Sequence, residues 1–167
     1  MRISAKTDYA LRALIRLAQD WEESISSEDI AATQQIPHKY LEAILSELRR
    51  TGFITSLRGP GGGHRLRRPP SQIVVADVIR ALNGPLTTVR GECPEDVSYD
   101  SPAQSLQLLW IALRVSLRNI LENVTLEELA TGALPADVLE LTKSPDAWES
   151  HWFMPGGVPA ARTAVEI

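Results

Sequence analysis

Residues 26–68 read SSEDIAATQQIPHKYLEAILSELRRTGFITSLRGPGGGHRLRR, and this stretch decides the fold. Ser26, followed three residues later by Asp29, is a capping signature: a side-chain oxygen satisfies a free backbone donor, and an acid stands at the positive end of a helix. A short helix therefore opens here and runs to about Gln34. Ile36-Pro37 ends it, because the residue before a proline avoids the helical region. Pro37 suits the first turn of the next helix, where its missing donor costs nothing. Leu41, Ile44, Leu45 and Leu48 then share one face of a helix reaching Arg50, and Gly52 is a natural stop. Two short helices across so short a break spell a helix-turn-helix. Phe53-Ile54-Thr55-Ser56-Leu57 is β-prone, the glycine cluster at 59–63 is a turn, and His64 to Arg68 extends beyond it. Pro69-Pro70 closes the resulting β-hairpin. A helix-turn-helix followed at once by a hairpin is a winged helix.

Upstream, Leu11, Leu14, Ile15 and Ala18 recur at helical spacing between Ser4 and Asp20, giving a first amphipathic helix. Downstream, Ile73, Val75, Val78, Ile79 and Leu82 form a fourth helix stopped by Asn83-Gly84-Pro85. Residues 86–101 have no period and read as a loop holding Glu92, Cys93, Glu95, Asp96 and Asp100. Ser101-Pro102 is a helix start. The stripe Leu106, Leu109, Trp110, Leu113, Leu117, Ile120, Leu121 and Val124 follows at helical steps. A winged helix of this size has little core left to cover so long an apolar face. The expectation is that it pairs with the same helix of a second chain. Thr125 caps a further short helix with Leu126 and Leu129. The last residues are rich in Pro and Gly but hold Trp148, Trp152, Phe153 and Met154. The expected organisation is a DNA-binding winged helix over 1–85, a loop over 86–101, a dimerisation helix and short following helix over 102–134, and an extension over 135–167. The fold class is mainly α with a small β-hairpin wing and a long dimerisation helix.

In 167 residues, 44% are hydrophobic and 23% charged, which is an ordinary globular balance. No apolar run approaches the roughly 20 residues of a membrane span, and the N-terminus enters an amphipathic pattern directly, so the expected home is the cytoplasm. The single cysteine, Cys93, excludes an internal disulfide framework and any all-cysteine metal site within one chain.

The net charge of −4 argues against a nucleic-acid partner only on average. Residues 1–70 hold 11 basic against 8 acidic side chains, whereas 71–167 hold 6 against 13. Positions 49–68 contain Arg49, Arg50, Arg58, Arg65, Arg67 and Arg68 and no acid at all. With a Debye length of about 8–10 Å, such a block acts locally as a phosphate footprint.

In a winged helix, the third helix turns its solvent face to the major groove of double-stranded DNA, which is wide enough to admit it. Its candidate contacts are His38, Lys39 and Tyr40 at the first turn, with Ser46, Arg49 and Arg50 further along. Glu42 and Glu47 face phosphates poorly and should point sideways or read a cytosine amino group. At the wing, Arg58, His64 and Arg65 suit the adjacent minor groove, and Gly59, Gly62 and Gly63 suit a backbone that turns tightly against a sugar–phosphate edge. The glycine run is no nucleotide cradle, because it lacks a following Lys-Ser/Thr and leads into a strand. Catalysis has no support either: Cys93 lies among acids, which disfavour a thiolate.

The ordered set Thr7-Asp8-Tyr9-Ala10-Leu11-Arg12, Ile36-Pro37-x-x-Tyr40-Leu41-Glu42-x-Ile44-Leu45-x-x-Leu48, Arg58-Gly59-x-x-Gly62-Gly63-x-x-Leu66 and Asp77-Val78-Ile79-x-Ala81-Leu82-x-Gly84-Pro85 resembles the winged-helix regulators typified by IscR, NsrR and CymR. The resemblance spans about residues 1–130. It implies a homodimeric bacterial transcription regulator, more readily a repressor, joined through its long helix and bound to a partly palindromic operator. Cluster-carrying relatives place three cysteines in the loop before that helix, with five residues between successive ones. Here Cys93 is the first, and Tyr99 and Ser105 occupy the next two positions. Asp8 resembles a non-cysteine ligand of some relatives, but one thiol and one carboxylate per chain are too few soft ligands. The favoured reading is a member without a cofactor that answers to a small molecule, a protein partner or oxidation of Cys93. The alternative is a redox or nitric-oxide responsive regulator with an atypical metal cluster shared between chains.

Overall fold

The protein, described by a computed structural model over residues 3–59, 61–152 and 160–162, divides into two compact units, 1–133 and 134–167. In the first, α1 (Ala5–Gln19) is the central rod: Ala10, Ala13, Leu14 and Leu17 are fully buried along it. Ser4 caps it, its hydroxyl accepting from the Thr7 amide at 3.1 Å. Thr7 is only 1% exposed, and its hydroxyl is satisfied by Ser4 Oγ at 2.9 Å and by Asn83 Nδ2 at 2.6 Å. A buried hydroxyl without such partners would cost about 1–3 kcal/mol. The cap of α1 therefore also ties it to α4 (Val75–Asn83).

Helix α2 (Ser27–Gln34) starts on Ser26, whose Oγ accepts from the Asp29 amide at 3.1 Å. Gln35 ends it in the left-handed region at φ 52°. Helix α3 (His38–Arg50) follows with Leu41, Ile44, Leu45 and Leu48 all buried. Pro37 stands one position earlier than the sequence suggests, as the cap residue of α3. Its carbonyl accepts from Tyr40 and Leu41 at 2.9 and 3.1 Å, and it has no donor to waste there.

Strands β1 (Ile54–Leu57) and β2 (Gly63–Leu66) pair antiparallel, with Ile54 opposite Leu66 and Ser56 opposite His64. The hairpin has a third, one-residue strand that its sequence does not announce. The Ile25 amide donates to the His64 carbonyl at 2.9 Å, and the His64 amide to the Ile25 carbonyl at 2.7 Å. The approach is close enough that a Cβ on Gly63 would lie 2.5 Å from the Ile25 oxygen, so any side chain there must push the hairpin and Ile25 apart.

After α4 the chain crosses the loop and enters α5 (Ser105–Leu121), in which no residue is buried. The helix begins after Ser101-Pro102, not at it, because the Ala103 amide closes a separate turn on the Asp100 carbonyl at 2.8 Å. The chain then returns to the body. Val75 and Leu126 amides bond the Val124 and Ile73 carbonyls, both at 2.9 Å. Helix α6 (Leu126–Thr131) starts on a capping box of Thr125 and Glu128 and puts Leu126 fully buried in the core of the winged helix.

The second unit holds α7 (Ala136–Leu141) and a short hairpin of β3 (Ser150–Trp152) and β4 (Ala160–Arg162). The Trp148 indole donates to the Thr142 carbonyl at 2.8 Å, with its ring largely exposed. Phe153 and Met154, singled out in the sequence, lie outside the described residues. Among the described residues no helix is long and apolar enough to cross a membrane.

Candidate nucleic-acid interface

Because the four apolar residues of α3 are spent on the core, the opposite face is left to polar side chains. His38, Lys39, Tyr40, Ser46, Arg49 and Arg50 are all exposed there. Tyr40, 62% exposed, leans edge-on against Tyr9 with ring centroids 6.4 Å apart, and the Arg12 guanidinium covers the other ring at 5.7 Å. His38 lies 3.8 Å from Glu28 and 3.7 Å from Glu42. Glu47 is drawn sideways to Lys6 at 2.9 Å, whose ammonium also donates to the Leu82 carbonyl at 3.0 Å. That acid is thereby withdrawn from the outward face, while Glu42 stays on it.

The wing carries the remaining charge. Arg58, Arg65, Arg67 and Arg68 are exposed, and Arg68 also stacks over Phe53 at 5.9 Å. Gly59 and Gly62 shape the turn: the Gly62 amide donates to the Gly59 carbonyl at 2.8 Å, and a Cβ on Gly62 would lie 2.5 Å from the Leu57 oxygen. Among the described residues, Arg49, Arg58, Arg65, Arg67 and Arg68 make no ion pair; of the basic block only Arg50 does, with Glu47 at 3.5 Å. Five uncompensated guanidiniums on one segment, in a chain of net charge −4, form a local positive field.

Strand alternation sorts the hairpin into two faces. Ile54, Ser56, His64 and Leu66 share the inner face; Thr55 and Arg65 share the outer one. A notch of about 230 Å³ separates wing from α3, lined by Ser27, Glu42, Ser46, Arg49, Ser56 and His64 among others. His64 Nδ1 and Ser56 Oγ are 3.1 Å apart. Burial, and then the Arg49 charge, push the His64 imidazole below its ordinary value, with Glu28 opposing.

On α5, Leu106, Leu109 and Leu113 are exposed, and Trp110, Leu117, Ile120 and Leu121 are half-buried. Leu108 and Val115, which the sequence stripe leaves out, are exposed too. The loop 86–101 is pinned to this helix by side chains. Gln107 Nε2 donates to the Val97 carbonyl at 2.7 Å, the Trp110 indole donates to the Tyr99 hydroxyl at 3.1 Å, and Arg114 pairs with Glu95. Glu122 pairs with Arg80 and, at 3.0 Å, with Arg118, which holds its carboxyl below the usual range.

This loop is also where a cluster would have to be held, and the donor set does not fit one. Cys93 is the chain's one thiol and is half-buried. Tyr99 is committed to Trp110 and lies under Arg90 at 5.6 Å, Ser105 begins α5, and Asp8 pairs with Arg12 at 3.5 Å. Hard oxygen donors already engaged elsewhere do not replace thiolates on iron–sulfur clusters.

A helix-turn-helix with an exposed, cation-rich face and an adjoining basic wing defines a winged-helix DNA-binding transcription regulator. The chain belongs to the Rrf2 family, described as an iron-dependent transcriptional regulator, which matches residues 3–132. Rv1287 of Mycobacterium tuberculosis, which carries the name of an HTH-type transcriptional regulator, is 42% identical over 90% of this chain and 94% of its own. The structure of CymR, titled the global cysteine regulator of B. subtilis, superposes with a TM-score of 0.69 at 35% identity over 80% of this chain and 98% of that one. T. potens IscR gives 0.65 at 30% identity, over 80% and 88%.

Proposed function

We propose that the chain works as a homodimer that binds a partly palindromic operator and represses by occupying it, in the cytoplasm and without a resident iron–sulfur cluster. Its signal is a small molecule or a protein partner, or oxidation of Cys93. The observation that carries this reading is the juxtaposition of the outward face of α3 with five unpaired arginines. Residues 1–85 supply the reading surface, with His38, Lys39, Tyr40, Ser46, Arg49 and Arg50 toward the major groove and Arg58, Gly59, Gly62, Gly63, His64 and Arg65 toward the phosphates and minor groove beside it. Residues 102–134 supply the dimer contact through Leu106, Leu109, Trp110, Leu113, Leu117, Ile120 and Leu121. A twofold pair would present its α3 helices about 34 Å apart, one turn of duplex, or a multiple of that.

Salt titration of binding to the chain's own upstream DNA tests the surface. Arg65→Ala should lower the log–log salt slope by about 1 if the guanidinium neutralises a phosphate. An unchanged slope removes Arg65 from the interface. The family's description as iron-dependent favours a second reading, in which two chains pool their Cys93 thiols on a metal. Visible absorbance and stoichiometric iron in anaerobically purified protein would support it, and full operator binding by a colourless, iron-free preparation would dismiss it.

A further inference from the structure

The DNA-binding reading places α3 in a major groove and the wing in the minor groove next to it, so one strand of phosphates must pass between them. The notch between α3 and the inner face of the hairpin opens on that path. We infer that this notch is a seat for a duplex phosphate, held by Arg49, Ser46, Ser56 and a His64 that takes up a proton when the DNA binds.

Three observations converge on it. The hairpin register puts Ser56 and His64 directly opposite each other and on the side facing α3, while Arg65 goes to the far side. Arg49 borders the notch without an acidic partner, and Ser46 is exposed one helical turn before it. His64 is fixed in place because its own amide and carbonyl are both bonded to Ile25, so its ring is presented by a doubly anchored backbone. The acids around it are Glu42 on α3 and Glu28 at the start of α2, each within reach of His38. Neither forms an ion pair with Arg49.

The proton balance follows from the 3.1 Å contact between His64 Nδ1 and Ser56 Oγ. In the neutral ring with its proton on Nε2, Nδ1 accepts the serine hydroxyl proton, and that proton is unavailable to a ligand. With the ring protonated, Nδ1–H donates to Oγ, and the hydroxyl proton turns outward as a further donor. Free protein favours the neutral ring, since partial burial and the Arg49 charge both oppose the imidazolium. A phosphate in the notch reverses the second of these influences and favours the charged ring. A site whose bound form takes up a proton binds more tightly as pH falls, by at most tenfold per pH unit, between the bound and the free titration midpoints.

The experiment measures operator affinity at constant ionic strength from pH 8 to pH 6. Wild type should tighten about tenfold, His64→Gln should tighten no more than about twofold, and Ser56→Ala should fall between them. His151→Gln, on β3 and not among the residues assigned to the DNA surface, should keep the wild-type ratio. A His64→Gln ratio equal to that of wild type overturns the inference. Histidine NMR on wild type reads the same proton without a variant: the His64 ring should be neutral in free protein at pH 7 and an imidazolium in the complex, and a ring still neutral in the complex at pH 6 overturns it. Failure of wild type to bind any specific duplex would overturn the underlying DNA-binding reading instead.

Discussion

Leu41, Ile44, Leu45 and Leu48 of α3 are all buried, whereas not one of the seventeen residues of α5 is, although α5 is the more apolar of the two helices. Both sequences show hydrophobic residues at helical spacing, and both helices form. They differ in what stands opposite. The face of α3 meets α1, α2 and β1 of its own chain and leaves a polar face free for a ligand. Among the described residues, the face of α5 meets the loop that Gln107, Trp110 and Arg114 hold against it and one edge of α4, and Leu108, Leu109, Leu113 and Val115 remain exposed. Periodicity reports that a helix has an apolar side; it says nothing about whether the covering surface lies in the same chain.

Substitutions separate the two cases. Leu109→Glu places a charge in a face that is open in the single chain, where Leu109 is 55% exposed, so the fold should survive. In a twofold pair the charge is buried twice, and dimer affinity should fall on the order of a thousandfold or more. Sedimentation at micromolar protein would then show a single chain with an unchanged circular dichroism spectrum. Leu48→Ala does the opposite. It opens a cavity in the closed core and should lower unfolding free energy by about 3 kcal/mol in urea titrations, with no direct effect on self-association of the remaining folded protein. Gly63→Ala is milder, about 1–2 kcal/mol, because the hairpin can shift from the Ile25 carbonyl at the expense of two backbone bonds. Hydrogen exchange should show lost protection at the Ile25 and His64 amides, while the leucines of α3 stay packed.

The elements were legible because their signals are local. Ser26 and Thr125 cap helices through bonds that span three residues, and the hairpin is punctuated by its own glycines. Features set by distant partners were not legible. Nothing near Ile25 marks it as a strand, since its partner is His64; nothing near Leu126 says that α6 returns to complete the core against α1. The Lys6–Glu47 pair, which turns one acid off the outward face of α3, joins residues forty-one positions apart. Part of the candidate site lay within reach: once the turn is centred on Gly59 to Gly63, period-two alternation puts Ser56 in phase with His64. The arginines were visible by composition alone, and their lack of acidic partners required the fold.

The most direct measurement is the stoichiometry and footprint of iron-free protein on its own upstream duplex. Two chains per duplex should protect two major-groove patches separated by about 34 Å or a multiple of it, and Leu109→Glu should abolish the pattern. One chain per duplex with a single patch, or protection that appears only after iron is added, would contradict a dimer that reads DNA without a cluster.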